Sequence, residues 1–119
     1  MTGLDPEDAT LVVLARAARG RAYVRPGTPT EGAAVRDTDG RTYSAATVDH
    51  ARGSLATSAL RGAVVAAASS GARAFEAAVV IGVAAAVVED DLAMLREFGT
   101  GVPVLLVAPD GTPVARVVS

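Results

Sequence analysis

Apolar residues recur along this chain with two different periods, and the switches between them lay out its elements. Leu11, Leu14, Ala15 and Ala18 return at helical spacing. Asp5-Pro6-Glu7-Asp8 stands ahead of them as a helix start. Asp5 can cap, Pro6 suits the first helical position, and the acids favour the positive end of the helix dipole. Gly20 is a stop, and residues 21–31, with Pro26, Gly27 and Pro29, read as a loop. Gly32 to Arg36 and Arg41 to Ala46 are short strand candidates. Asp37-Thr38-Asp39-Gly40 between them is a hairpin turn in which Gly40 is free to take positive φ. Ser54 is expected to open a second helix that runs to about Ser70 and closes at Gly71. Its residues are small and apolar around most of the circumference (Ala56, Ala59, Ala63, Ala66, Ala67), the pattern of a helix buried on several sides. Ala77 to Val83 is the continuous apolar run of a fully buried strand. A third helix over about Asp90 to Phe98 starts with acids and has Gly99 behind it. Val102 to Ala108 is another buried strand, and Pro109-Asp110-Gly111 turns the chain into an edge strand at Val114 to Val118.

The order is therefore α-β-β-α-β-α-β-β. It implies an α/β fold: a mixed sheet of about five strands, the hairpin first, with helices on both faces. No repeat or linker divides the 119 residues, so residues 1–119 read as one domain. Half the residues are apolar, but they are Ala and Val rather than aromatics. Such a core packs closely and leaves little room for a deep pocket.

Charge narrows the function classes. A formal net charge of −2 argues against a nucleic-acid surface, which needs a concentrated basic face. The run Arg16, Arg19, Arg21 and Arg25 reads as a solvated helix end and loop. No apolar stretch reaches the roughly 20 residues that span a bilayer, so no membrane partner is expected. The longest, Ala77 to Val88, holds a glycine and ends in Glu89-Asp90-Asp91. The start MTGLDPED is acidic and lacks a signal pattern, from which a cytoplasmic protein is expected. The chain has no cysteine, which excludes disulfides and thiolate metal sites.

Several segments jointly resemble one family. GAAVRDTDGRTY at 32–43 is similar to the VGAAV…DG…(F/Y) hairpin of cytidine deaminases. TVDH at 47–50 stands where those enzymes carry N-V-E-N, and SALR at 58–61 where they carry C-A-E-R. LREFG at 95–99 is similar to the L-x-E-F-G that follows their P-C-x-x-C. The resemblance covers nearly the whole chain and implies the three-layer cytidine deaminase-like fold. Members of that family activate water on zinc held by three Cys, or by one His and two Cys, while a nearby Glu shuttles protons. On the same alignment the first ligand position is Ser58, the proton-shuttling position is Leu60, and the later ligand positions are Val88 and Asp91. The base-facing aromatic falls at Pro29, and the sugar-contacting Asn and Glu fall at Thr47 and Asp49.

Chemistry at those positions can be read without the family. Zinc with three protein ligands takes sulfur, imidazole or carboxylate donors. A hydroxyl, a methyl-terminated side chain and one carboxylate do not make that set, so no cofactor, and zinc in particular, is expected. Leu60 can neither give nor accept a proton; buried, it would add roughly 1.5–3 kcal/mol of apolar stabilisation, and Val88 would add to it. Arg61 survives at a position that the family uses near its thiolates, and is expected to pair with Asp91, Asp49 or Glu89.

Other constellations are weaker. His50 is the only histidine and follows Asp49, but no G-x-S-x-G elbow accompanies them, so a surface or helix-capping role is expected. Glu89-Asp90-Asp91 reads as a helix start set against the dipole. With Asp49 and Ser58 it could alternatively form a hard-cation site.

The expectation is a cytidine deaminase-like protein without catalytic residues, acting through assembly with its own copies, as a dimer or tetramer, or through a protein partner. One alternative is a nucleoside or small-anion binder with a cleft lined by Thr47, Asp49, His50, Ser58, Arg61 and Asp91. Another is an active deaminase-type hydrolase with unconventional residues.

Overall fold

A computed structural model describes residues 4–84 and 86–119. Residues 1–3 of the acidic start, and Ala85 in the long apolar stretch, lie outside the described residues. Helix α1 spans Pro6–Arg19, with Pro6 in its first turn. The Asp5 carboxylate caps it, accepting from the Asp8 backbone N–H at 2.8 Å. Strands β1 (Gly32–Asp37) and β2 (Thr42–Ala46) form the antiparallel hairpin. At the turn, Asp37 Oδ1 accepts from the N–H groups of Asp39 and Arg41, and Gly40 sits at φ +87°. Then come α2 (Ala59–Ser69), β3 (Phe75–Ile81), α3 (Glu89–Arg96), β4 (Pro103–Val107) and β5 (Pro113–Val118). The sheet runs β2-β1-β3-β4-β5. β3 and β4 pair in parallel, and the remaining neighbours are antiparallel.

Alternation along the strands sorts the core into two layers. On one face Leu11, Val12 and Ala15 of α1 pack over Ala34, Val79, Ile81, Leu105 and Val107. On the other, Leu60, Ala63, Val64 and Ala67 of α2 and Leu95 of α3 pack over Ala33, Val35, Ala78, Val80, Val104 and Leu106. Small side chains let the layers approach closely. A Cβ added at Gly32 would lie 2.0 Å from the Ala15 carbonyl oxygen, so α1 rests directly on the β1 backbone. Arg36 on β1 is buried and tied to Asp8 of α1 at 3.3 Å and to Glu76 of β3 at 2.9 Å. No helix of the described residues is long and apolar enough to cross a membrane.

Two boundaries differ from the sequence reading. Ser54 does not open α2; it lies in a short 3-10 turn, Gly53–Leu55. The chain after that turn is extended, because Thr57 and Val48 exchange backbone hydrogen bonds at 2.8 and 3.0 Å. The helix begins only when the Ser58 hydroxyl caps it, accepting from the Arg61 N–H at 3.2 Å. Strand β3 starts at Phe75 and ends at Ile81, so Val83 is not in a buried strand but is 66% exposed.

Candidate functional site

The starts of α2 and α3 converge on one side of the sheet, and three of the expected residues meet there. Ser58 stands at the cap of α2, Arg61 in its first turn, and Asp91 in the first turn of α3. Ser58 Oγ donates to Asp91 Oδ1 at 2.9 Å, and Arg61 Nε lies 3.2 Å from the same oxygen. Arg61 Nε also donates to Ser58 Oγ at 3.2 Å, and its Nη2 donates to the Ala56 carbonyl at 3.4 Å. Of the three partners expected for Arg61, the structure selects Asp91. Glu89 instead pairs with Arg96, and Asp49 with Arg25. Burial pushes the Asp91 carboxyl above its ordinary range, opposed by the Ser58 hydrogen bond and the Arg61 charge. Leu60, between these polar neighbours in sequence, turns inward and is fully buried.

Val88 departs from expectation. It is 62% exposed rather than part of the core, since it occupies the extended cap position ahead of α3. With Val80, Ala84, Ala86 and Val87 it instead lines a cavity of about 80 Å³, whose polar side chains are Asp91 and Glu31.

Glu31 is the residue that sequence reasoning missed. It immediately precedes β1, and Thr47 fixes its backbone from both sides. The Glu31 N–H donates to Thr47 Oγ1 at 2.9 Å, and the Thr47 N–H donates to the Glu31 carbonyl at 3.0 Å. Gly82 makes room for the side chain: a Cβ there would come within 2.9 Å of Glu31 Cγ. Burial raises the Glu31 pKa, the Asp91 charge raises it further, and Arg19 opposes both. A signal was present in the sequence, because a charged residue stands where the VGAAV pattern has its first valine.

Asp49 and His50 do not join this cluster. Asp49 Oδ2 pairs with Arg25 at 3.1 Å, and its Oδ1 accepts from the His50 N–H at 2.8 Å. The backbone N–H groups of His50 and Arg25, with the Arg25 side chain, hold its carboxyl below the ordinary range. His50 is exposed and its Nδ1 accepts from the Arg52 N–H at 2.9 Å, which orders the loop. Among the described residues no three His, Cys, Asp or Glu side chains gather as metal ligands. The hard-cation arrangement is thus not brought together, because Asp49 belongs to the Arg25 loop.

Comparisons with known proteins agree with this architecture. The cytidine deaminase-like family model matches residues 4–111. Cytidine deaminase from Burkholderia pseudomallei is similar at 27% identity and a TM-score of 0.82, over 100% of this chain and 92% of that one. Cytidine deaminase from Mycobacterium leprae, at 23% identity, superposes with a TM-score of 0.75 over 93% of this chain and 96% of that one. The Mycobacterium tuberculosis enzyme, at 24% identity, gives 0.75 over 92% and 89%. No curated protein matches the sequence.

One expectation is corrected by these matches. The missing ligand pattern led to a chain without a cofactor, yet the structural neighbours are cytidine deaminases, which are zinc enzymes. Zinc is therefore the group that the fold implies. The donor chemistry at the corresponding positions consists of Ser58, Val88 and Asp91, with the Asp91 oxygen already held by Ser58 and Arg61. That set does not fit tetrahedral zinc.

Proposed function

The chain belongs to the cytidine deaminase-like family, and we propose that within it this protein works by binding and assembly rather than by deaminating cytidine. The observation that carries the reading is the closed Ser58–Asp91–Arg61 network beside a buried Leu60. Deamination by water needs a group that takes a proton and returns it at the reacting carbon. Leu60 offers no such atom, and Asp91 Oδ1 is engaged by the Ser58 hydroxyl and the Arg61 charge.

Self-association, as a dimer or tetramer, forms the second half of the proposal. Beyond Arg61, α2 carries no charge, and its outer side presents Val65, half exposed, together with Ala66 and Ser69. A helix side of that composition suits close contact with a second copy or with another protein. Of the ligand alternatives, the cavity supports a small molecule, but its two carboxyl groups disfavour an anion.

The test is a cytidine deamination assay by ultraviolet absorbance with micromolar protein and added zinc. We expect no turnover above the protein-free control. A measurable rate would overturn the reading and establish the active deaminase-type hydrolase in its place. Light scattering on the same sample is expected to give a mass at a multiple of the 11.9 kDa chain. A monomer at micromolar concentration would remove the assembly half.

A further inference from the structure

We infer that the cavity between the end of β3 and the start of α3 is a binding site for a small organic cation with N–H donors, an alkylammonium or a guanidinium, held between Glu31 and Asp91. The inference rests on the proposed role in binding and specifies which chemistry the cavity takes. Its walls are Val80, Ala84, Ala86, Val87 and Val88, whose side chains are apolar. Among the described residues the two carboxyl groups are its only ionisable lining, and they come from separate parts of the fold. They do not have equal tasks. The Asp91 Oδ1 atom already accepts from Ser58 and is ion-paired with Arg61. No hydrogen bond or ion pair from any described residue reaches the Glu31 carboxyl group. Arg19, whose charge acts on it, gives its own Nε to the Thr30 carbonyl at 3.0 Å.

This free acceptor is also a positioned one. Thr47 clamps the Glu31 backbone through both its N–H and its carbonyl, and Gly82 leaves the only space that the side chain's Cγ needs. A carboxylate set in a half-apolar cavity favours a ligand that brings both positive charge and hydrogen-bond donors. A cavity of about 80 Å³ limits that ligand to a few heavy atoms, such as a guanidinium with one short alkyl arm against Val80 and Val87. An anion would meet two carboxylates, and a neutral amide would leave the Glu31 charge uncompensated.

The experiment is a titration of the full chain, followed by NMR shifts of the Glu31, Val80 and Val88 amides, with methylguanidinium and n-propylammonium chlorides. Acetate, acetamide and sodium chloride serve as controls at equal ionic strength. Saturable shifts with the two cations alone are expected. Glu31→Gln is expected to weaken binding about tenfold or more, since a charge-assisted partner is removed. Asp49→Asn, a carboxylate outside the cavity, is expected to leave it unchanged. Val88→Phe, at an exposed rim position that does not burden the core, is expected to block it by filling the cavity.

Binding is also expected to weaken as pH falls through the raised pKa of Glu31. The charged groups that face it are Asp91 from α3 and Arg19 from α1. Absence of saturable shifts, equal response to acetate, or undiminished binding in Glu31→Gln would each overturn the assignment. The deamination assay is independent of all three. No binding with no turnover would sink this inference alone, whereas turnover would sink the reading beneath it.

Discussion

At the scale of single residues, the sharpest consequence comes from Glu31. Its folded pKa is raised above the ordinary 4.5, so ionisation costs the folded state more than the unfolded one. The cost is absent below about the unfolded value and appears as pH rises through the folded one. Glu31→Gln is therefore expected to raise the melting temperature at pH 7. It should also flatten the decline in stability as pH climbs above 4.5, read by thermal unfolding across pH. Unchanged melting temperatures at every pH would refute this. Ser58→Ala removes both the cap of α2 and a hydrogen bond to Asp91. A loss of about 1–2 kcal/mol in urea unfolding is expected.

What could be read from the sequence at this scale was residue type, not neighbourhood. Ser58, Arg61 and Asp91 lie up to 33 positions apart, and their meeting depends on how α2 and α3 are set on the sheet. Asp49 and His50 fall in the cleft on the resemblance of TVDH to N-V-E-N, which compares residue positions and not their partners. The Arg25 loop captured Asp49, and no periodicity encodes that.

Among elements, helical spacing located the three α-helices, and the hairpin turn and continuous apolar runs located the strands, while the 3-10 turn Gly53–Leu55 carried no such signal. The boundaries that failed are those where local hydrogen bonding outranked propensity. Alanine at 56 invites helix, but the Val48–Thr57 pairing holds that stretch extended until Ser58 can cap. Close packing makes a separate prediction. Gly32→Ala would drive a methyl into the Ala15 carbonyl and the Arg19 backbone nitrogen, 2.0 and 2.6 Å away. A destabilisation of about 3 kcal/mol or more is expected, since α1 must lift from β1. Gly53→Ala, with open space around the added carbon, is expected to cost nearly nothing. Chemical denaturation of the two variants side by side checks the contrast.

For the molecule as a whole, the outer side of α2 sets the expectation about assembly. Val65→Lys places a charge on a half-exposed position that contributes little to the core. It is expected to lower the mass seen by light scattering while leaving the melting temperature of the folded chain nearly unchanged or reduced only by lost association. A variant with undiminished mass would move the interface elsewhere. Fold class, layer order and edge strand were legible because 119 residues with this alternation admit few arrangements. The cavity was not legible, since its walls come from β3, the segment before α3 and the residue before β1, and only the folded arrangement joins them.

The inward turn of Leu60 has a consequence for how this protein can change over generations. A glutamate at that position would strand a charge inside a fully apolar layer, at a cost of several kcal/mol. A replacement at Ser58 would uncap α2 and release Asp91 at the same moment. Each single substitution toward a different chemistry at this place thus lowers stability before any new contact can form. Small domains hold only about 5–15 kcal/mol in reserve. Mutational paths through these two positions are therefore steep. Variation is expected to accumulate instead at the exposed rim position Val88, where the shape and chemistry of the cavity can drift at little cost to the fold.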